Sequence, residues 1–131
     1  VSYSPAETAE KSGFSIDTLR YYEKIGLLAD IARNSSGRRV FSDDDLVWLR
    51  MLRCLRETGM PIAEMLRYSE LARGGDGTVQ ERLELLRDHD RRVEEQIARL
   101  REQQEQIHWK IGFYQGSLCE AAPAEAVHAG A

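Results

Sequence analysis

No apolar run in the 131 residues approaches the roughly 20 needed to cross a bilayer, and the first residues do not resemble a signal peptide. A soluble, cytoplasmic protein with no membrane partner is therefore expected. Cysteine is scarce: Cys54 and Cys119 lie too far apart in sequence to make a disulfide framework, and in a reducing compartment both are free thiols. The signatures of catalysis are missing too. There is no glycine-rich phosphate loop, paired-carboxylate pocket or nucleophile elbow. His89, His108 and His128 have no metal-ligand spacing to the cysteines and read as solvated, and Cys119 has no second thiol within a dozen residues. The chain is expected to be no enzyme and to hold no cofactor and no resident metal.

What is present is charge and helical periodicity. Charged residues make up 31% of the chain, which suits long solvated helices, while 42% hydrophobic content supports a modest core. At this length the expectation is one compact domain, or a small domain plus an appendage. The net charge of −4 hides an asymmetry. Between Lys11 and Arg39 six basic residues face three acidic ones, a net +3, which leaves −7 on the remainder. A basic face on an acidic body is the footprint of a nucleic-acid binder.

The basic window begins with two short helices. Ser4-Pro5-Ala6-Glu7 combines an N-cap serine, a first-turn proline and a glutamate able to close a capping box. That helix runs to about Ser12, where Gly13 breaks it. Ser15 caps a second helix and Gly26 ends it, with Ile16, Leu19 and Ile25 as the inner stripe. Asp17, Thr18, Arg20, Tyr21 and Lys24 face mostly outward. Two short helices joined by a glycine turn make a helix-turn-helix pattern, whose second member enters the major groove. The Asn34–Gly37 turn cluster, flanked by short-strand residues, then predicts a hairpin with Arg33, Arg38 and Arg39 near its tip. In that position it reads as a wing contacting phosphates.

A helix starting at Ser42 carries two adjacent apolar stripes, Trp48-Leu52-Leu55 and Val47-Met51-Cys54, and stops at Gly59. So wide an arc predicts two neighbours, one of them from another chain. Pro61 opens a further helix, which ends in a loop at 74–77. Thr78-Val79-Gln80-Glu81 reads as a third capping box. Beyond it Leu83, Leu86, Asp90, Val93, Ile97, Leu100, Gln104, Ile107, Ile111 and Tyr114 alternate spacings of three and four. That is a heptad seam with polar interruptions at Asp90 and Gln104 that can set register. Such a helix, roughly 55 Å long at 1.5 Å per residue, has one narrow apolar stripe and needs a partner, here a second copy. The domains expected are 1–73 for DNA binding, 74–77 as loop, 78–116 as dimerisation helix and 117–131 as a poorly ordered tail.

Leu19-Arg20-Tyr21-Tyr22-Glu23-Lys24-Ile25-Gly26-Leu27-Leu28, the Gly37-Arg38-Arg39-Val40-Phe41 wing, the helix start at Ser42 and the terminal coil together resemble the MerR family of transcription regulators, over about residues 2–115. Within that family, Cys54-Leu55-Arg56-Glu57-Thr58-Gly59-Met60 is similar to the thiol-dependent group responding to aldehydes, nitric oxide or related electrophiles, which also lacks a large effector domain. The resemblance implies a mainly α fold: a winged helix-turn-helix with a small β-hairpin wing, then a long dimerisation helix forming an antiparallel coiled coil. It also implies a homodimer that holds an inverted repeat in double-stranded promoter DNA. By bending and untwisting that DNA it would present the promoter elements to RNA polymerase, itself an indirect or transient partner.

Carried over by position, Arg20 would meet a base edge or nearby phosphate, with Ser15, Asp17 and Thr18 near the groove and Tyr21 and Arg39 on the backbone. Lys24, Arg33, Arg38 and Phe41 complete the expected DNA-contacting set. The chain departs from the family pattern at Arg38 and Phe41, where tyrosines are frequent. Phe41 lacks a phosphate-binding hydroxyl, and Arg38 adds charge.

Two readings of Cys54 stand: a small buried core residue, or a sensor thiol whose thiolate Arg50, Arg53 and Arg56 could stabilise. Rival functions are an effector-free architectural DNA-binding protein, a metal-responsive regulator using Cys119 and a histidine, and a purely structural coiled-coil protein.

Overall fold

The computed structural model describes residues 1–120. It is mainly helical, with a small sheet and a long C-terminal helix. The elements are β1 (Ser2–Tyr3), α1 (Pro5–Ser12), α2 (Ile16–Ile25), β2 (Ala32–Arg33), β3 (Arg39–Ser42), α3 (Asp43–Glu57), α4 (Ile62–Arg73), a 3-10 turn (Gly75–Thr78) and α5 (Val79–Cys119). Two compact units follow, residues 1–90 and the part of α5 from Arg91 onward. The first turns of α5 belong to the first of these units.

The helix starts form as the local chemistry dictates. Ser4 accepts from the Glu7 amide while Glu7 accepts from the Ser4 amide, and Ser42 and Asp45 repeat this reciprocal box on α3. Ser15 accepts from the Thr18 amide, and Gly13 and Gly26 end α1 and α2 in the left-handed region. Gly13 is required twice over. Its φ is +82°, and a Cβ there would lie 2.0 Å from Nη1 of Arg53, which donates to the Ser12 carbonyl at 3.2 Å.

The hairpin forms with Ala32 opposite Val40 and Arg33 opposite Arg39, and a third strand, β1, pairs antiparallel to β3 on its other side. Beneath it lies a core of Phe14, Leu19, Tyr22, Leu27, Phe41, Leu49, Leu52 and Met65. Tyr22, not Ile16, completes the inner stripe of α2: its ring meets Phe14 edge-on at 5.3 Å, whereas Ile16 is exposed. Phe41 is 2% exposed, which corrects its expected place among the DNA-contacting side chains. As the central strand's core residue, opposite Tyr3, its ring is covered by the molecule itself.

Thr78 also departs from expectation. Its hydroxyl donates to the carbonyls of Leu71 and Gly75, and Glu81 pairs with Arg67, so the third capping box does not form. The 3-10 turn supplies the chain's entry into α5 instead. Leu85 and Leu86 pack against the core, so Leu86 serves its own chain before any seam. His89, read as solvated, is buried, with Nε2 2.7 Å from the Thr58 hydroxyl. At the other end α5 runs through Gly116 to Cys119, beyond the expected stop, and this corrects residues 117–119 of the expected tail. The expectations for residues 121–131, His128 included, lie outside the described residues. Among the described residues no helix is long and apolar enough to cross a membrane.

Candidate nucleic-acid interface

Three elements converge on one open groove of about 550 Å³: the start of α1 at Ser4–Ala6, the outer face of α2, and the wing. Arg20, Arg33, Arg38 and Arg39 all line it, as does Ile16. Four arginines around one groove are a positive, fork-shaped donor surface suited to phosphate oxygens.

Each arginine is held differently. Arg20 stands exposed on α2, 4.0 Å from Asp17, a distance that leaves it able to swing to another acceptor. In the wing, Asn34 shapes the turn: its Oδ1 accepts from the amides of Ser36 at 2.9 Å and Arg38 at 3.0 Å, and Gly37 takes a φ of +79°. Arg33 donates to the Gly37 carbonyl at 3.0 Å, which ties one side of the wing to its tip. Arg38 is exposed at that tip. Arg39 forms an ion pair with Glu23 of α2.

On α2 itself Asp17, Tyr21 and Lys24 are exposed. The Ser15 and Thr18 hydroxyls are engaged with one another at 3.0 Å, so they position the helix start first and reach outward second. The end of α2 is clamped from behind. Trp48 of α3 donates from Nε1 to the Leu27 carbonyl at 2.8 Å, and Arg73 of α4 donates to the Gly26 carbonyl at 2.9 Å. Sequence reasoning missed both clamps, although an arginine in the last turn of α4 was visible.

Two ionisations are shifted in this unit. The hydrogen bond to Asp43 holds the Tyr3 hydroxyl above its usual pKa, and the Ser4 amide holds the Glu7 carboxyl below its own.

Cys54 lies away from the groove, exposed on α3, which corrects the reading of a buried core thiol. Val47, 60% exposed, and half-buried Met51 continue the same stripe. Two of the arginines considered for stabilising a thiolate are committed elsewhere: Arg53 bonds Ser12 and Glu57, and Arg56 lies over the Phe14 ring. The hydroxyl of Thr58 donates to the Cys54 carbonyl at 2.7 Å and also meets His89 of α5. Cys119 is exposed at the end of α5, and no group of three metal-binding side chains gathers among the described residues.

The seam residues on α5 are largely exposed, among them Ile97, Leu100, Ile107, Ile111 and Tyr114.

Comparison with known proteins gives a consistent result. The family profile described as MerR HTH family regulatory protein matches residues 3–70, and a second, described as MerR, DNA binding, matches 46–109. An uncharacterized HTH-type transcriptional regulator of Haemophilus influenzae is 42% identical over 115 residues, 88% of this chain and 85% of that one. The HTH-type transcriptional regulator AdhR of Bacillus subtilis is 36% identical over 62% of this chain and 58% of its own. Among solved structures, HiNmlR, a MerR family regulator lacking the sensor domain and bound to promoter DNA, superposes with a TM-score of 0.81 at 40% identity, covering 91% of this chain and 94% of that one. A MerR family regulator from Listeria monocytogenes gives 0.83 at 38% identity, covering 91% and 90%.

Proposed function

The chain belongs to the MerR HTH family of regulatory proteins, and from that premise we propose that it is a transcriptional regulator that grips promoter DNA as a homodimer. The observation that carries this reading is the groove in which Arg20 of α2 and three arginines of the wing converge. A helix presented beside a charged hairpin can enter a major groove while the hairpin holds the backbone. The likeness to HiNmlR, whose structure was solved on promoter DNA, supports the same partner.

Dimerisation through the α5 seam gives the protein two reading helices related by a two-fold axis, which suits an inverted repeat. Bending and untwisting the spacer between half-sites is then the means of regulation. Deforming a site of this kind costs on the order of 1–6 kcal/mol, which contacts by both protomers offset.

Cys54 is the candidate signal receiver. Its thiol is exposed, and the carbonyl of the same residue is tied through Thr58 to His89 of α5. A bulky adduct on Cys54 would press on the end of α3 and be felt at the base of the dimerisation helix. The test is expression from the target promoter with and without an electrophile. A Cys54→Ser variant keeps its DNA affinity and loses the electrophile response; an unchanged response ends the sensor reading, and binding at many sites with no effect on transcription supports an architectural role instead.

A further inference from the structure

At about 100° per residue Asp17 stands on α2 opposite the buried edge formed by Leu19 and Tyr22. Its side chain is 94% exposed, and that of Arg20, three residues on, is 64% exposed, with Nη1 4.0 Å from the carboxylate. The helix start is already held by Ser15, whose hydroxyl accepts from the Thr18 amide at 3.0 Å. Glu23, the other acid of α2, is engaged by Arg39. Asp17 therefore carries its negative charge toward whatever α2 meets, on a helix whose neighbouring groove is lined by four arginines. Against phosphates alone such a charge weakens binding, because exposed like charges repel over about 10 Å. A first-turn carboxylate also suits the helix dipole, an effect indifferent to the base sequence that α2 faces.

We propose that Asp17 and Arg20 together read one C·G base pair. The Asp17 carboxylate accepts from N4 of the cytosine, and the Arg20 guanidinium donates to O6 and N7 of the paired guanine. The inference rests on the DNA-gripping reading above and names the base pair that α2 selects. An ionised carboxylate only accepts, and the major groove offers it two kinds of donor, N4 of cytosine and N6 of adenine. Adenine sets its N7 acceptor beside N6, which repels a carboxylate, whereas cytosine has no acceptor of its own on that edge. The guanine across the pair does present acceptors, and a guanidinium fork fits them. The two side chains thus complement the two bases in sign. Their 4.0 Å separation lets both address one pair while each steadies the other. Position agrees, because the N-terminal residues of a helix lying in the major groove are those that reach base edges.

The test uses the full chain and duplexes of its genomic binding site, with each of the four base pairs placed in turn at every position of one half-site. At one position the unsubstituted chain should prefer C·G by about tenfold or more. Asp17→Ala should level that preference and tighten binding to an unrelated duplex, because an anion is gone. Asp17→Asn keeps a short polar side chain in the first turn and should turn the preference toward adenine, whose N6 and N7 match an amide. Arg20→Lys loses the two-pronged donor and should weaken discrimination at the same base pair. Circular dichroism reports folding, and if Asp17→Ala unfolds, the shift in Asp17→Asn decides. Asp17 variants that tighten binding evenly and keep every base preference overturn the proposal. So does the absence of a C·G-preferring position, or relaxation of different base pairs by the Asp17 and Arg20 changes. An unsubstituted chain that binds no duplex overturns the regulator reading itself.

Discussion

Glu23 on α2 and Arg39 on the wing are joined side chain to side chain, so the two parts of the proposed DNA grip are latched to each other. Both partners are less than a third exposed, 25% and 31% for their side chains. Arg39 thus does more than present charge: it fixes the angle at which the wing stands beside α2.

The latch makes affinity and charge separable. Glu23→Gln removes a negative charge, which by itself favours DNA, yet it frees the wing. Operator affinity should fall about two- to fivefold, the scale of a partly exposed ion pair, with an unchanged dependence on salt. Arg38→Ala, at the wing tip, should instead make the slope of log affinity against log salt shallower by about one unit. Titrations at four salt concentrations distinguish the two.

Gly13→Ala should destabilise the first unit by about 1–3 kcal/mol. The substitution forces a side chain onto a φ of +82° and displaces Arg53 from the Ser12 carbonyl. Thermal unfolding followed by circular dichroism reads this as a lower Tm.

Trp48→Phe keeps an aromatic ring against Tyr68, on which Trp48 stacks at 5.6 Å, but deletes the donor to the Leu27 carbonyl. A loss of about 0.5–1.5 kcal/mol is expected. Amide exchange should rise at the end of α2, where that carbonyl is clamped.

The capping carboxylate gives a pH dependence with a definite sign. Glu7 titrates below its unfolded value, chiefly through the Ser4 amide. Its contribution is therefore present above the unfolded pKa, about 4.3, and lost as pH falls through the lower folded value. Amide exchange at the start of α1 should accelerate across that window, and Glu7→Gln should remove the acceleration while keeping a neutral cap.

Much of this was legible in the sequence because caps and stops are local. Ser4, Ser15 and Ser42, with Gly13 and Gly26, announce their helices through hydrogen bonds spanning a few residues. The arginines of the groove were legible as charge, and its shape was not. What failed depends on long-range packing. Strand β1 is two residues long and exists only because β3 offers an edge 40 residues away. Phe41 and Tyr22 sit in motifs that look functional, yet the core needs their rings. Thr78 and Leu86 fit local patterns for a cap and a seam, and were claimed instead by α4 and the first unit's core. A periodic stripe states that a face is covered without stating by whom.

Two copies of this chain are proposed to grip one inverted repeat through α2 and the wing. This grip is tested most directly by titrating the protein onto its genomic binding site, found by genome-wide binding, and onto a duplex with one half-site scrambled. Two chains per intact site, a steep linear fall of log affinity with log salt, and a large loss of affinity on scrambling are expected. One chain per duplex with equal affinity for both, or no binding at low salt, would contradict it.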